Sequence, residues 1–177
     1  MSRGGPLPIS NSISHESMVM TALSVFEWLG HTAVGRAMQH STYGVAIVEM
    51  VHLLALAILG GTILLVDLRL IGVGLKRQSA SRLDRELAPL FWGSFAVIAL
   101  SGIIILSAEP MKCYYNAAFR AKMSILFVAL LFHLTLHRKV VASAREKTSS
   151  AWAKSAAAVS LVLWLAVGLA GRAIGFL

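Results

Sequence analysis

Glu49, His52, Asp67 and His133 sit inside long apolar stretches, where an ionisable group is costly and turns toward other protein or a water-filled path. At 100° per residue, Glu49, His52, Leu56, Gly60, Ile63 and Asp67 share one helical stripe about 80° wide. A carboxylate one turn from an imidazole can orient the ring or take its proton, which makes Glu49 and His52 a candidate ligand or ion site. A plain inter-helix hydrogen bond is the other reading of that pair. A second stripe holds Lys122, Leu126, Ala129 and His133, with His137 slightly rotated from it. Followed directly by Arg138 and Lys139, His137 reads as interfacial, whereas His133 lies a turn deeper. A third stripe of Ser160, Trp164, Gly168 and Arg172, with Gly171 beside it, contains small residues that permit close helix approach. Arg172 is expected to pair with Glu49 or Glu109, so that Glu49, Asp67 and Arg172 form a buried polar network.

Two histidines on facing helices can hold the iron of haem b from both sides, and four-helix bundles build such sites in their cores. His52 and His133 are the candidates. At 1.5 Å per residue, His52 lies about 14 Å below Tyr43 and His133 about 20 Å below Arg120, a mismatch that helix tilt must absorb. A copper alternative draws on His40, Met38, Met50, Met111 and Cys113, with His15, His31, Met18 and Met20 in the same outer segments. Thioether, thiolate and imidazole suit Cu(I), although methionine equally fills irregular apolar gaps and no Met-x-x-Met or His-x-His spacing gathers these residues. The single cysteine excludes an internal disulfide framework and a cysteine-built zinc or iron–sulfur site. There is no G-x-S-x-G elbow, H-E-x-x-H or phosphate-binding glycine loop, which argues against hydrolytic catalysis; a non-catalytic subunit is the leading expectation, with the enzyme question open.

The elements that must position these residues follow from composition. Of 177 residues, 57% are hydrophobic and 14% charged, and the mean hydropathy is +0.75, against about 25% charged in an average soluble domain. Stretches at about 43–70, 88–108, 119–137 and 152–176 reach the roughly 20 residues of a membrane-spanning helix. Their unbroken apolar runs lack the alternation of a transmembrane strand, and lipid offers the backbone no partner, which leaves helices. Basic residues gather after the first span (Arg69, Lys76, Arg77, Arg82, Arg85) and after the third (Arg138, Lys139, Arg145, Lys147, Lys154). The positive-inside rule places those connections in the cytoplasm and both termini on the outer, periplasmic side. The net charge of +8 is therefore a topology signal, and without a folded basic surface nucleic acid is not an expected partner. Residues 1–16, rich in Gly, Pro and Ser, predict a flexible tail. Residues 17–40 predict an amphipathic helix in the outer interface, with Val19, Leu23, Phe26 and Leu29 on its apolar face. The fold expected over 17–177 is all-α: one membrane domain, a four-transmembrane-helix bundle with an N-terminal interfacial helix.

The segments FEWLGHTAVGRAMQHSTYGVAIVEMVHLLALAILGGTILLVDLRLIG, AEPMKCYYNAAFRAKM and SLVLWLAVGLAGRAIGF resemble an uncharacterised family of small bacterial four-helix membrane proteins. VHLLALAILGG and VDLRL are more distantly similar to copper-resistance D-type membrane proteins. The resemblance runs from about Phe26 to Phe176 and implies the four-span fold in a bacterial cytoplasmic membrane, without an activity. In it His52 matches a recurring His-Leu-Leu element and His137 a histidine near the end of the third span, whereas His133 stands outside the pattern. The leading expectation is an integral membrane subunit for redox or electron transfer, holding haem b through His52 and His133, within a larger complex or a homo-oligomer in the lipid bilayer. The alternatives are a copper-handling membrane protein and a structural accessory subunit without a cofactor.

Overall fold

The computed structural model describes residues 20–21, 23–73, 79–143 and 151–174. The tail expected over 1–16 lies outside the described residues, as do Met18, Lys76, Arg77, Arg145, Lys147 and the end of the fourth span. The described elements are α1 (residues 23–30), α2 (Ala33–Gln39), α3 (Thr42–Ile71), α4 (Ala80–Ala108), α5 (Pro110–Tyr115), α6 (Ala117–Phe132), a π-helical turn (His133–His137), α7 (Arg138–Ser143) and α8 (Ala151–Ala173). Four continuous helical stretches, Thr42–Ile71, Ala80–Ala108, Ala117–Ser143 and Ala151–Ala173, are long and apolar enough to cross a membrane. The shortest, at 23 residues, reaches about 35 Å at 1.5 Å per residue, enough for a hydrocarbon layer of about 30 Å.

Short polar side chains start these helices by meeting amide groups that have no intrahelical partner. Ser41 accepts from Gly44 N, Ser79 from Arg82 N, and Asn116 Oδ1 from both Ala118 N and Phe119 N. α3 ends at Gly72, whose φ of 98° suits a residue without Cβ. The second long helix begins at Ala80, earlier than the expected 88, because the Ser79 cap and an Arg82–Glu86 pair at 2.8 Å support an amphipathic first stretch. The segment expected as one helix over 17–40 is broken at His31 and Thr32. There Thr32 caps α2 by accepting from Gly35 N at 3.1 Å. Gly35 sits so close to the end of α1 that a Cβ on it would lie 2.7 Å from the Leu29 carbonyl oxygen. The connection carrying Tyr114 and Tyr115 is itself the short helix α5, with Pro110 at its start. Phe26 of α1 packs edge-on against Tyr114 and Phe119.

α3 packs against α4 and α8, α6 packs against α8, and α7 reaches back to α4. At the end rich in arginine and lysine, hereafter the basic end, Val66, Leu70, Leu83, Val140, Val141 and Ala157 form one apolar cluster. A second cluster, Leu59, Ile63 and Phe91 with Phe95, Ile98 and Trp164 against it, fills the middle of the bundle. Large apolar side chains such as Leu53, Leu100, Phe127, Leu165 and Leu169 point outward, more apolar surface than a water-soluble monomer exposes and what a lipid-facing helix requires. The interior stripe of α3 runs through Ala55, Leu59, Ile63, Val66, Asp67 and Leu70. It is rotated from the expected one at its outer end, so that Glu49 and Gly60 are exposed and His52 is half-buried.

Candidate functional site

Between the two apolar clusters lies a set of polar side chains drawn from three helices. α3 supplies Asp67, just over a turn before its glycine stop. The π turn supplies His133 and His137, and α8 supplies Ser160 and Trp164. The turn is defined by the Arg138 amide, which donates to the His133 carbonyl five residues back. Within it, the Thr135 hydroxyl donates to the Leu131 carbonyl at 2.6 Å, a back-bond that competes with the regular ladder. Single π turns inside α-helices recur at functional sites. Here the widened turn aims both imidazoles inward, their rings stacked with centroids 5.0 Å apart.

His137 Nε2–H donates to Asp67 Oδ1 at 2.6 Å, and the two side chains are 1% and 0% exposed. On its other face His133 stacks against the Phe91 ring, with centroids 4.4 Å apart, while Trp164 stands edge-on to both. The result is a ladder of Phe91, His133 and His137 that ends at the Asp67 carboxylate. His133 Nδ1, His137 Nδ1 and Trp164 Nε1 are buried without a hydrogen-bond partner in the protein, while the buried Ser160 hydroxyl is the other polar neighbour of the Asp67 carboxylate. Buried polar atoms are normally satisfied, and these all belong to one cluster, which makes it the candidate site. A cavity of about 30 Å³ adjoins the imidazoles, lined among others by Thr62, Asp84, Ala88, Phe91 and Arg138. Pro89 has no N–H for the Arg85 carbonyl, so α4 is loosened at the level of Ala88 and Phe91.

The sequence-predicted residues fall in separate places. His52 Nδ1 bonds Ser101 Oγ at 2.8 Å. The Ser101 hydroxyl proton is committed to the Val97 carbonyl at 2.6 Å, so His52 Nδ1–H is the donor and its Nε2 carries the lone pair. His133 instead contacts Phe91, which packs against Leu59 and Ile63, two to three turns further along α3 than His52. That is roughly 10–16 Å at 1.5 Å per residue, whereas axial nitrogens on one iron each sit about 2 Å from it. The cavity beside His133, about 30 Å³, is also far below the roughly 300 Å³ of the smallest cofactor pockets. His52 and His133 as placed do not fit a common haem. Among the copper candidates, Met50 and His40 are exposed, and Met38, Met111 and Cys113 are partly buried. Among the described residues no three His, Cys, Asp or Glu side chains converge as metal ligands. Of the expected polar network, Asp67 is buried, whereas Glu49 and Arg172 are exposed and Glu109 bonds Lys112 at 3.0 Å. Glu49 lies about two turns from the start of α3, near enough to the helix end to keep its carboxylate outward.

His137 is the functional residue that sequence reasoning set aside. Arg138 and Lys139 mark the chain there as interfacial, but the π turn rolls both cations outward and the imidazole inward. The usable signal was the His-x-x-x-His spacing of 133 and 137, one face of a single turn.

Fold and cluster together define an all-helical protein with four helices fit to cross a membrane and an internal acid–imidazole site. The chain belongs to the family of unknown function DUF6644, whose model matches residues 19–177. No curated protein and no solved structure matches it, and the likeness to copper-resistance D proteins finds no support in these comparisons.

Proposed function

We propose that this chain is a non-catalytic, multi-pass subunit of the bacterial cytoplasmic membrane that takes up and hands on protons through His133, His137 and Asp67. The supporting observation is the fully buried Asp67–His137 bond at 2.6 Å, with the Nδ1 atoms of His137 and of the stacked His133 left without a protein partner. A carboxylate beside a neutral imidazole leaves one net negative charge in a dry interior, and a single added proton removes it. That proton lands on the His137 Nδ1 lone pair, and the Nε2 proton passes to Asp67 Oδ1, giving a carboxylic acid beside the other imidazole tautomer. The reverse order releases it. His133, stacked on His137, is the neighbouring acceptor.

The basic connections, by the positive-inside rule, support a reading with the cluster's end of the bundle toward the cytoplasm and both termini toward the periplasm. The outward apolar faces suit lipid or partner helices, in keeping with a place inside a larger redox or ion-coupled complex. In this reading protons, in place of haem electrons or copper, are what the subunit handles. Infrared difference spectra of the protein in lipid nanodiscs, stepped between about pH 5 and 8 where imidazoles exchange protons, test it. A carboxyl band that responds to pH and disappears in Asp67→Asn is the expected result. Spectra without any pH-responsive band that Asp67→Asn removes overturn the proposal.

A further inference from the structure

The cavity beside the imidazoles is bounded very differently on its two sides. Toward the basic end it is lined by Asp84 of α4 and Arg138 of α7, of which Arg138 is exposed and Asp84 half-buried. Toward the middle of the bundle it ends on Phe91, and behind Phe91 lie Leu59, Ile63, Phe95, Ile98 and Trp164. Thr62 and Ala88 line the space between. About 30 Å³ holds about two water molecules, given the 10–15 Å³ that one requires, and His133, His137, Asp84, Arg138 and Thr62 in its lining give it polar character.

We infer that the acid–imidazole site is a one-sided proton inlet: hydrated protons reach it only from the basic face, between α4 and α7, and the aromatic and aliphatic plug around Phe91 closes it from the other side. This rests on the proton-handling reading above and adds its direction. The titratable groups that line the path are Asp84 from α4, Arg138 from α7, and His133 and His137 from the π turn; Asp67 of α3 lies behind them, bonded to His137, with the neutral Ser160 and Trp164 of α8 buried in the same cluster. Lys154 and Arg172 of α8 are exposed, and Arg69 follows Asp67 by two residues, a separation that places it on another face of α3. The path therefore has one carboxylate and one guanidinium at its mouth and a carboxylate behind its imidazoles. A proton passes from cavity water to imidazole and then to Asp67, with no other species consumed. On the far side, His52 is tied to Ser101 and separated from the ladder by the plug.

Vesicles holding the protein in one orientation test the direction. A rapid pH step is applied on one side of the membrane at a time, and the Asp67 carboxyl band is followed. The band should respond promptly to a step on the face bearing Arg82 and Arg138, and to the opposite step only as fast as the lumen itself equilibrates. Ala88→Leu adds three carbons to a wall of the cavity. It should slow the response from the basic face at least tenfold while leaving the final band unchanged. Equal response from both faces, or an unslowed Ala88→Leu, overturns the one-sided inlet and leaves proton uptake standing. A band that responds from neither face overturns both.

Discussion

Removing one partner of the Asp67–His137 pair leaves the other buried with its polar atoms unmet. Asp67→Leu adds His137 Nε2 to the Nδ1 that already lacks a partner, and His137→Leu strips the carboxylate of its imidazole partner. Leucine is close in size to both residues, so lost packing contributes little. Breaking a buried charged pair costs about 3–5 kcal/mol, whereas a neutral inter-helix bond inside a membrane averages about 0.6 kcal/mol and reaches about 1.7. The distance of 2.6 Å and side-chain exposures of 1% and 0% place this pair in the stronger class, since charge-assisted bonds are the short ones. His137→Leu, which strands the Asp67 carboxylate, should therefore lose about 3 kcal/mol, and Asp67→Leu, which leaves a neutral imidazole unmet, about 1–3 kcal/mol. The double variant Asp67→Leu/His137→Leu, left with a leucine pair in an apolar setting, should lose less than either single change. The coupling, read from reversible unfolding in bicelles, should then be at least about 2 kcal/mol, above the neutral ceiling of about 1.7. Losses that add within about 0.5 kcal/mol, as for independent sites, would refute the reasoning.

Three further outcomes are expected. Gly35→Ala puts a Cβ 2.7 Å from the Leu29 carbonyl oxygen and 2.8 Å from that of Gly30. It should cost about 1–3 kcal/mol by forcing α1 and α2 apart, whereas Gly60→Ala, whose Cβ meets nothing within 4 Å, should be neutral or gain up to about 1 kcal/mol of helix propensity; equal unfolding shifts in the two variants contradict this. Burial, aided by the Glu109 carboxylate, pushes the Cys113 thiol up from its ordinary range. Its thiolate fraction at neutral pH is thus small, so maleimide labelling should be slow at neutral pH, accelerate as pH rises past the usual thiol range, and speed up in Glu109→Gln; a rate matching a free thiol counts against it. His52→Ala removes the bond to Ser101 and should cost about 0.6–1.7 kcal/mol while leaving the Asp67 infrared band in place; loss of that band would join two sites that the structure holds apart.

The four long helices were legible because a span of about 20 apolar residues has few other folds open to it. Asp67 and His133 were legible for the complementary reason, as expensive groups inside such spans. The partnership was not. The i, i+4 spacing puts His133 and His137 on one face, but the neighbouring Arg138 and Lys139 masked it, and spacing on one helix does not say that this face meets Asp67 of α3. Glu49 misled in the opposite direction. Its spacing to His52 is as good as that of any buried pair, but periodicity fixes which residues share a stripe and not where around the helix the neighbours stand. α4 and α8 flank α3 so that its interior stripe passes through Ala55 and Leu59, which turns Glu49 outward. Similarly, the first break came from a close approach between Gly30 and Gly35 that no hydrophobic pattern encodes.

The π turn and the small face of α8 act together. Ala153, Ala156, Ala157 and Ser160 are all buried on that face, and side chains of this size let α8 approach α3 and α7 closely enough to shut water out around Asp67. The widened turn accommodates both rings by stacking them, at 5.0 Å and 20°, and still buries Val140 and Val141 against the same helix one turn later. A bundle built only for stability would place a leucine at 67 and another at 137, since an apolar pair of similar volume is as good as or better than a buried ionic one. The chain instead places a distorted helical turn, two imidazole Nδ1 atoms without a protein partner and a proline-loosened α4 at one level of the bundle. These departures gather beside one small cavity lined by both imidazoles, and in the proton-handling reading they are what would let the buried pair gain and lose a charge without moving the helices.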